Sequence, residues 1–203
     1  MNQLFIQYKV SPCNRDEIKN FMEKWHYSHS INGVLGNFYF KMERGKGELI
    51  GAVIFGKPAM AGQLKRFGDG VIELRRLVCI DDTKKNAESY MIGRCLRWLK
   101  QNTTVKTVVS YADPEYGHAG IIYKASNFIL ESKTTKGKVI LWNGKKYHDK
   151  AIRTTYNGKL KPFALKLKEA LKSGEAQYKE TARKNCYVYY LNNIKLINKR
   201  LAQ

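Results

Sequence analysis

Cysteine is scarce in this sequence. Four stand among 203 residues, Cys13, Cys79, Cys95 and Cys186, and no two form a C-x-x-C pair. That spacing argues against a disulfide scaffold and a zinc knuckle, and implies a reducing cytoplasm. Cys79 and Cys95 fall in apolar segments and read as small core residues. No apolar run approaches membrane-spanning length, and the start Met1-Asn2-Gln3-Leu4-Phe5 does not read as a signal peptide. No internal repeat or low-complexity tract is present. Acidic residues are the largest deficit: 17 Asp and Glu face 37 Lys and Arg, a formal charge of +20.

An excess of that size repels itself in a compact chain, so an anionic partner is expected. Nucleic acid fits best, because closely spaced phosphates release counterions when basic residues neutralise them. A membrane surface fits less well. The basic residues are spread along the chain with no amphipathic anchor beside them. With 43% hydrophobic and 12% aromatic residues the chain has the material to fold. Its length suits one domain, with or without an appendage.

Periodicity predicts the elements. Residues 3–10 read as a strand, and Arg15 to Trp25 as a helix with Ile18, Phe21, Met22 and Trp25 on one face. A polar, aromatic loop follows from His26 to Gly33. Asn37–Glu43 and Glu48–Lys57 read as antiparallel strands about a turn at Arg44–Gly47, and Glu73 to Ile80 as another strand. An amphipathic helix runs from Ala87 to Lys100 through Met91, Ile92, Cys95, Leu96 and Leu99. Thr104–Tyr111 is a β-branched strand broken by Asp113-Pro114. A helix from about His118 to Ser126 and a strand from Asn127 to Glu131 come next, then a helix over 162–172 and a strand over 186–191. This order predicts an α/β (α+β) sheet domain. The chain reads as a single domain, with a basic portion from about residue 132 that contacts DNA. There, lysines are interleaved with Trp142, Tyr147 and Tyr156, a mixture suited to backbone neutralisation and stacking.

Several side chains carry possible chemistry. Asp113, at a strand end, is either a base or metal ligand, or the start of a turn. His26 and Tyr27, beside Trp25 and near His29, offer a proton acceptor or metal ligand and an aromatic surface for an extruded base. His118 is either a ligand or a local hydrogen-bonding group. Arg75 and Arg76 are adjacent on a strand and so face opposite sides, Arg76 being the one assigned to the site. Tyr123 follows the strand that ends in Ser110-Tyr111-Ala112-Asp113.

Four ordered strings carry a family resemblance. They are Glu73-Leu74-Arg75-Arg76-Leu77-Val78, Asn86-Ala87-Glu88-Ser89, Ser110-Tyr111-Ala112-Asp113, and Gly117 to Phe128, with Trp25-His26-Tyr27 as an earlier element. Residues 73–129 resemble the centre of the GNAT superfamily of N-acetyltransferases, and the strings together resemble the phage Mom family of DNA adenine modification proteins. The resemblance implies a GNAT-like fold with a central mixed, mostly antiparallel sheet flanked by helices. It implies an enzyme that converts adenine in double-stranded phage DNA to an N6-carbamoylmethyl derivative and so shields it from host restriction. It also implies an acetyl-CoA or related acyl donor, and possible iron. On that reading Asp113, Tyr123, His26, Tyr27 and Arg76 are catalytic, Lys85, Asn86, Ser89 and Ser110 bind the cofactor, and His26, Asp113 and His118 form a candidate iron set. The loop from Asp82 to Ala87 departs from the superfamily, having none of the glycines that let backbone N–H groups reach a pyrophosphate. Lys84 and Lys85 supply charge there instead, and Asn86 is placed to cap the helix. The alternatives are an acetyl-CoA-dependent acyltransferase for a small amine or protein, and a non-catalytic basic DNA-binding protein.

Overall fold

Strand composition sets the layers. In β3 (Glu48–Gly56) every residue from Ile50 to Gly56 is buried, as expected of a strand covered on both faces. In β2 (Phe38–Arg44) Phe40 and Met42 are buried and their neighbours partly exposed. The computed structural model describes residues 8–60 and 62–192. The strand expected over residues 3–10 lies partly outside that range. Within it, β1 occupies Tyr8–Cys13 and pairs antiparallel with β2.

The contacts of the chain gather into two compact units. Unit 1 comprises residues 1–111, 120–132 and 186–203, and unit 2 comprises 112–119 and 133–185. Unit 1 is built on a seven-stranded sheet with the order β1-β2-β3-β4-β5-β12-β6. Here β4 is Val71–Cys79, β5 Thr107–Ala112, β6 Ile129–Lys133 and β12 Asn185–Tyr190. The strand expected at 186–191 thus joins the main sheet. The pairs β1–β2, β2–β3 and β3–β4 are antiparallel, whereas β4 and β5 run parallel. The β4–β5 register begins at Val71↔Thr107 and stops at Glu73↔Val109, although both strands continue. At that point Ser110 Oγ donates to the Leu74 carbonyl at 3.4 Å.

The helices follow from apolar spacing. In α1 (Arg15–Trp25) Ile18 and Met22 are buried against Ile31, Val34, Ala52 and Ile54. Its start is fixed by the Asn14 N–H, which donates to Glu17 Oε1 at 2.8 Å. In α3 (Ala87–Asn102) Met91, Ile92, Cys95, Leu96 and Leu99 are buried, one face of a 3.6-residue period. A short α2 (Gly62–Phe67) was not anticipated. The helix expected from His118 to Ser126 is reduced to α4 (Ile121–Ala125), because Gly117 and Gly120 take left-handed backbone at φ +72° and +77°.

Unit 2 has its own core of Ile140, Ile152, Leu167, Ala170 and Ala176. Its strands are β7 (Lys138–Trp142), β8 (Lys145–His148), β9 (Thr155–Tyr156), β10 (Lys159–Leu160) and β11 (Gln177–Glu180). The expected helix is present as α5 (Pro162–Ser173). The sheet order is β11-β7-β8, with β9–β10 a separate hairpin. Both hairpins turn on Asn-Gly, at Asn143-Gly144 and Asn157-Gly158, with all four φ values positive. Unit 2 carries fifteen Lys and Arg against six Asp and Glu. It therefore holds a disproportionate share of the charge expected to meet DNA. Of its interleaved aromatics, Trp142 and Tyr147 pack with Phe163, whereas Tyr156 is 70% exposed on its hairpin.

Candidate active site

In unit 1 a polar cluster forms where the β4–β5 ladder ends. Tyr123, on α4, is buried, with its ring 5.3 Å from that of Tyr187 and 5.7 Å from that of Phe128. Burial raises its hydroxyl pKa, opposed in part by a side-chain hydrogen bond with Ser110. Glu73, the last β4 residue in the parallel ladder, is also buried. Its carboxylate accepts the Ala59 N–H at 2.7 Å and lies 3.4 Å from Arg75 Nε. Tyr27 and Glu73 lie close enough to both Tyr123 and Arg76 for their ionisations to be linked, so these four groups share one electrostatic neighbourhood. The cluster therefore combines a buried phenol, a buried carboxylate and a partly buried guanidinium, groups suited to proton transfer and to stabilising developing charge.

A β-bulge separates the two arginines. Ile54 pairs with Arg76 and Phe55 with Leu74, which leaves Arg75 as the extra residue. The simple alternation expected of adjacent strand residues is interrupted there. Arg75 is spent on structure, with Nη1 donating to the Lys57 carbonyl at 2.9 Å and Nε facing Glu73. Arg76 donates from Nη1 to the Arg75 carbonyl at 2.8 Å, while its Nε is buried with no hydrogen-bond partner among the described residues. Burial lowers its pKa. A guanidinium so placed keeps donor capacity for an anionic or carbonyl group.

His26 is buried at the end of α1, with Nδ1 accepting the Ser28 N–H at 3.1 Å. The Tyr27 ring lies 4.3 Å from its ring and remains about half exposed. Trp25 is exposed, with Lys24 Nζ 4.7 Å from its ring centroid.

The loop before α3 differs from the expected cap. Asn86 adopts a left-handed backbone at φ +69°, and its side chain makes no cap hydrogen bond. Asparagine supplies there the conformation that glycine would otherwise provide. Ser89 Oγ donates to the Asn86 carbonyl at 3.0 Å, an ordinary first-turn contact. Lys85 is exposed.

Asp113 and His118 belong to unit 2. The Asp113 carboxylate is engaged twice. Oδ1 accepts the Glu115 N–H at 3.1 Å and caps the 3-10 turn Pro114–Tyr116, and Oδ2 meets Lys184 Nζ at 2.7 Å. The His118 N–H donates to the Asp113 carbonyl at 3.2 Å. Among the described residues no three His, Cys, Asp or Glu side chains are gathered to hold a metal ion. Of the residues named for a metal, His26 falls in unit 1 and Asp113 and His118 in unit 2.

Sequence reasoning passed over Glu73 and Tyr187, which resemble ordinary strand residues. It also missed a second buried network, in which Gln63 Nε2 donates to the Tyr111 hydroxyl at 2.6 Å beside Cys186. The available signal was a glutamate inside an otherwise apolar and basic strand.

Burial raises the pKa of Tyr111, Tyr123, Cys79, Cys95 and Cys186, and pushes Cys13 up to about 12. A group whose folded pKa is raised favours the fold below its unfolded value and loses that contribution as pH rises. The relevant unfolded values are 9.0 for the thiols and 10.0 for the phenols. The melting temperature should be flat through neutral pH and fall steadily above about pH 9. Thermal scans across a pH series at constant ionic strength check this, and a melting temperature that holds to pH 11 would contradict it.

Similarity to known structures defines the fold. The fold is that of the GNAT-like N-acetyltransferases. A ribosomal-protein-S5-alanine acetyltransferase from Vibrio fischeri superposes with a TM-score of 0.54 at 10% identity, covering 94% of this chain and 97% of its own. A point variant of the spermidine N-acetyltransferase SpeG from Vibrio cholerae gives 0.52 at 10% identity, with 91% and 94% covered. Arabidopsis thaliana NAA60 in complex with acetyl-CoA gives 0.52 at 14% identity, with 92% and 99% covered. The model of the Mom protein family matches residues 7–202, and the chain belongs to that family. The methylcarbamoylase mom of Escherichia phage Mu is 40% identical over 60 residues, which are 29% of this chain and 25% of that protein. The match thus spans about a quarter of that relative's length.

Proposed function

We propose that this chain modifies adenine in double-stranded DNA, adding a carbamoylmethyl group at N6, and that it protects phage DNA from restriction in the host cytoplasm. The observation that carries the reading is the cluster of Tyr27, Glu73, Arg76 and Tyr123 at the end of the β4–β5 ladder, in a chain of the Mom family. The formal charge of +20 supports DNA as substrate.

In this reading the target base leaves the stack and is received by Tyr27 and His26. Glu73 accepts the proton released from the exocyclic amine. Tyr123, kept protonated by burial, donates to the leaving group, and Arg76 holds the negative charge that develops. Asp113 caps the turn after β5 and meets Lys184, and so holds that strand end in place. An acyl-CoA donor fits the start of α3, where Asn86 supplies the left-handed turn and Lys84 and Lys85 the charge for a pyrophosphate. When bound, it would supply the two carbons of the carbamoylmethyl group; the amide nitrogen and a two-electron oxidant for the carbon that joins N6 would come from further co-reactants, to which no step is assigned. No step is assigned to iron.

Mass analysis of nucleosides from the DNA of cells expressing the chain tests the proposal. The expected result is a new adenine species with the mass of the carbamoylmethyl derivative. Unchanged nucleosides with soluble protein present would overturn it, and acetylation of small amines in the same cells would point to the acyltransferase alternative.

A further inference from the structure

Among the large hydrophobic side chains described, Leu35 is the most exposed, at 81%. It stands on the loop that also carries His26 and Tyr27. A lone exposed leucine is ordinary, but the backbone around this one is fixed on every side. Ile31 and Val34, just before it, are buried in the α1 core, and the Val34 N–H donates to the Ile31 carbonyl at 3.1 Å. Just after it, the Gly36 N–H donates to the Tyr39 hydroxyl at 3.1 Å, and a Cβ at Gly36 would lie 2.5 Å from the Tyr39 ring. The Asn37 N–H then donates to the Phe55 carbonyl at 2.7 Å. The loop is bolted to β3 on both sides of one outward apolar side chain.

Its position relates it to the site. The Leu35 carbonyl lies so close to Gly56 that a Cβ there would come within 2.1 Å, and Gly56 faces Glu73 across the β3–β4 ladder. Leu35 therefore stands one strand away from the buried carboxylate, on the loop that carries Tyr27. Duplex DNA is the occupant argued for, because the chain is strongly basic and a base in the stack is out of reach of a buried site.

We propose that Leu35 is a wedge that enters the duplex as the target base leaves and occupies the space beside its former partner. An apolar side chain on a stiff backbone suits that task, since it replaces stacking surface without spending energy on ordering a loop. The proposal rests on the reading that the chain acts on a base in duplex DNA.

The test uses duplexes that carry 2-aminopurine within randomised flanks, in a matched form opposite thymine and in a form opposite an abasic site. Wild-type protein should raise 2-aminopurine fluorescence in both. Leu35→Ala should lose at least about fivefold of the rise on the matched duplex and keep the rise opposite the abasic site, where unstacking is already easy. Leu35→Met should retain both, and all three proteins should melt alike and bind a labelled duplex within about twofold of one another. Equal responses of Leu35→Ala and wild type on the matched duplex would overturn the wedge, as would equal loss on both duplexes. If wild-type protein raises neither signal and cellular adenine is unmodified, the base-modification reading fails and the wedge with it. If cellular adenine is modified without any rise, the wedge alone fails.

Discussion

Tyr123→Phe is expected to lower adenine modification by roughly two to four orders of magnitude while the protein stays folded. The substitution removes one oxygen. The ring keeps its packing against Tyr187 and Phe128, so the stability cost is that of one buried hydrogen bond, about 1 kcal/mol. The large effect falls on the reaction, because the hydroxyl beside Ser110 is the group held protonated by burial. Modified adenine counted per molecule of soluble protein reads the first effect and thermal melting the second. A variant with undiminished activity would remove Tyr123 from the chemistry. Lost activity with a collapsed melting transition would make it a packing residue instead.

Gly120→Ala carries the largest expected effect on stability. A Cβ at Gly120 would sit 2.3 Å from Tyr187 Cε2 and 2.5 Å from its hydroxyl oxygen, and the backbone there is left-handed. Alanine pays about 1–2 kcal/mol for that backbone region and about 1–3 kcal/mol for overpacking. In a domain of this size the melting temperature should drop by roughly 5–15 °C. Gly120→Asn separates the two causes. Asparagine tolerates the backbone but keeps the clash, so it should recover little. If Asn restored most of the loss, the Tyr187 contact would be the lesser cause.

Much of unit 1 was legible because its elements declare themselves locally. The α1 boundaries, Arg15–Trp25, follow from one apolar face, and α3 follows from Met91 to Leu99. The paired strands about Gly45 and Gly47 follow from an apolar run on each side of a glycine turn. Tyr123, Arg76, Tyr27 and Ser110 were singled out and lie within one cluster. Glu73 was not, because a carboxylate on a strand shows its burial only when the strands on both sides are known. For Asp113 the residues alone indicate a turn or cap, which its Oδ1 forms; its second partner, Lys184, lies 71 positions away, where no local pattern indicates it. The unit 2 sheet was missed despite two Asn-Gly turns. Its strands are short and lysine-rich, and β8 and β11 have no buried residue to mark a period.

The strand order of unit 1 has a consequence for the newly made chain. Among the described strands β12 is the last to be synthesised, yet it lies between β5 and β6 in the interior of the sheet order. Until residue 190 has left the ribosome, β5 and β6 lack a neighbour on that side. The sheet that holds Ser110 therefore closes only after all of unit 2 has been translated. A chain stalled inside the basic insertion presents two open strand edges, a template for pairing with other chains. Lysine-rich unit 2 emerges during that interval, and its like charge keeps such chains apart while the sheet waits for its inner strand.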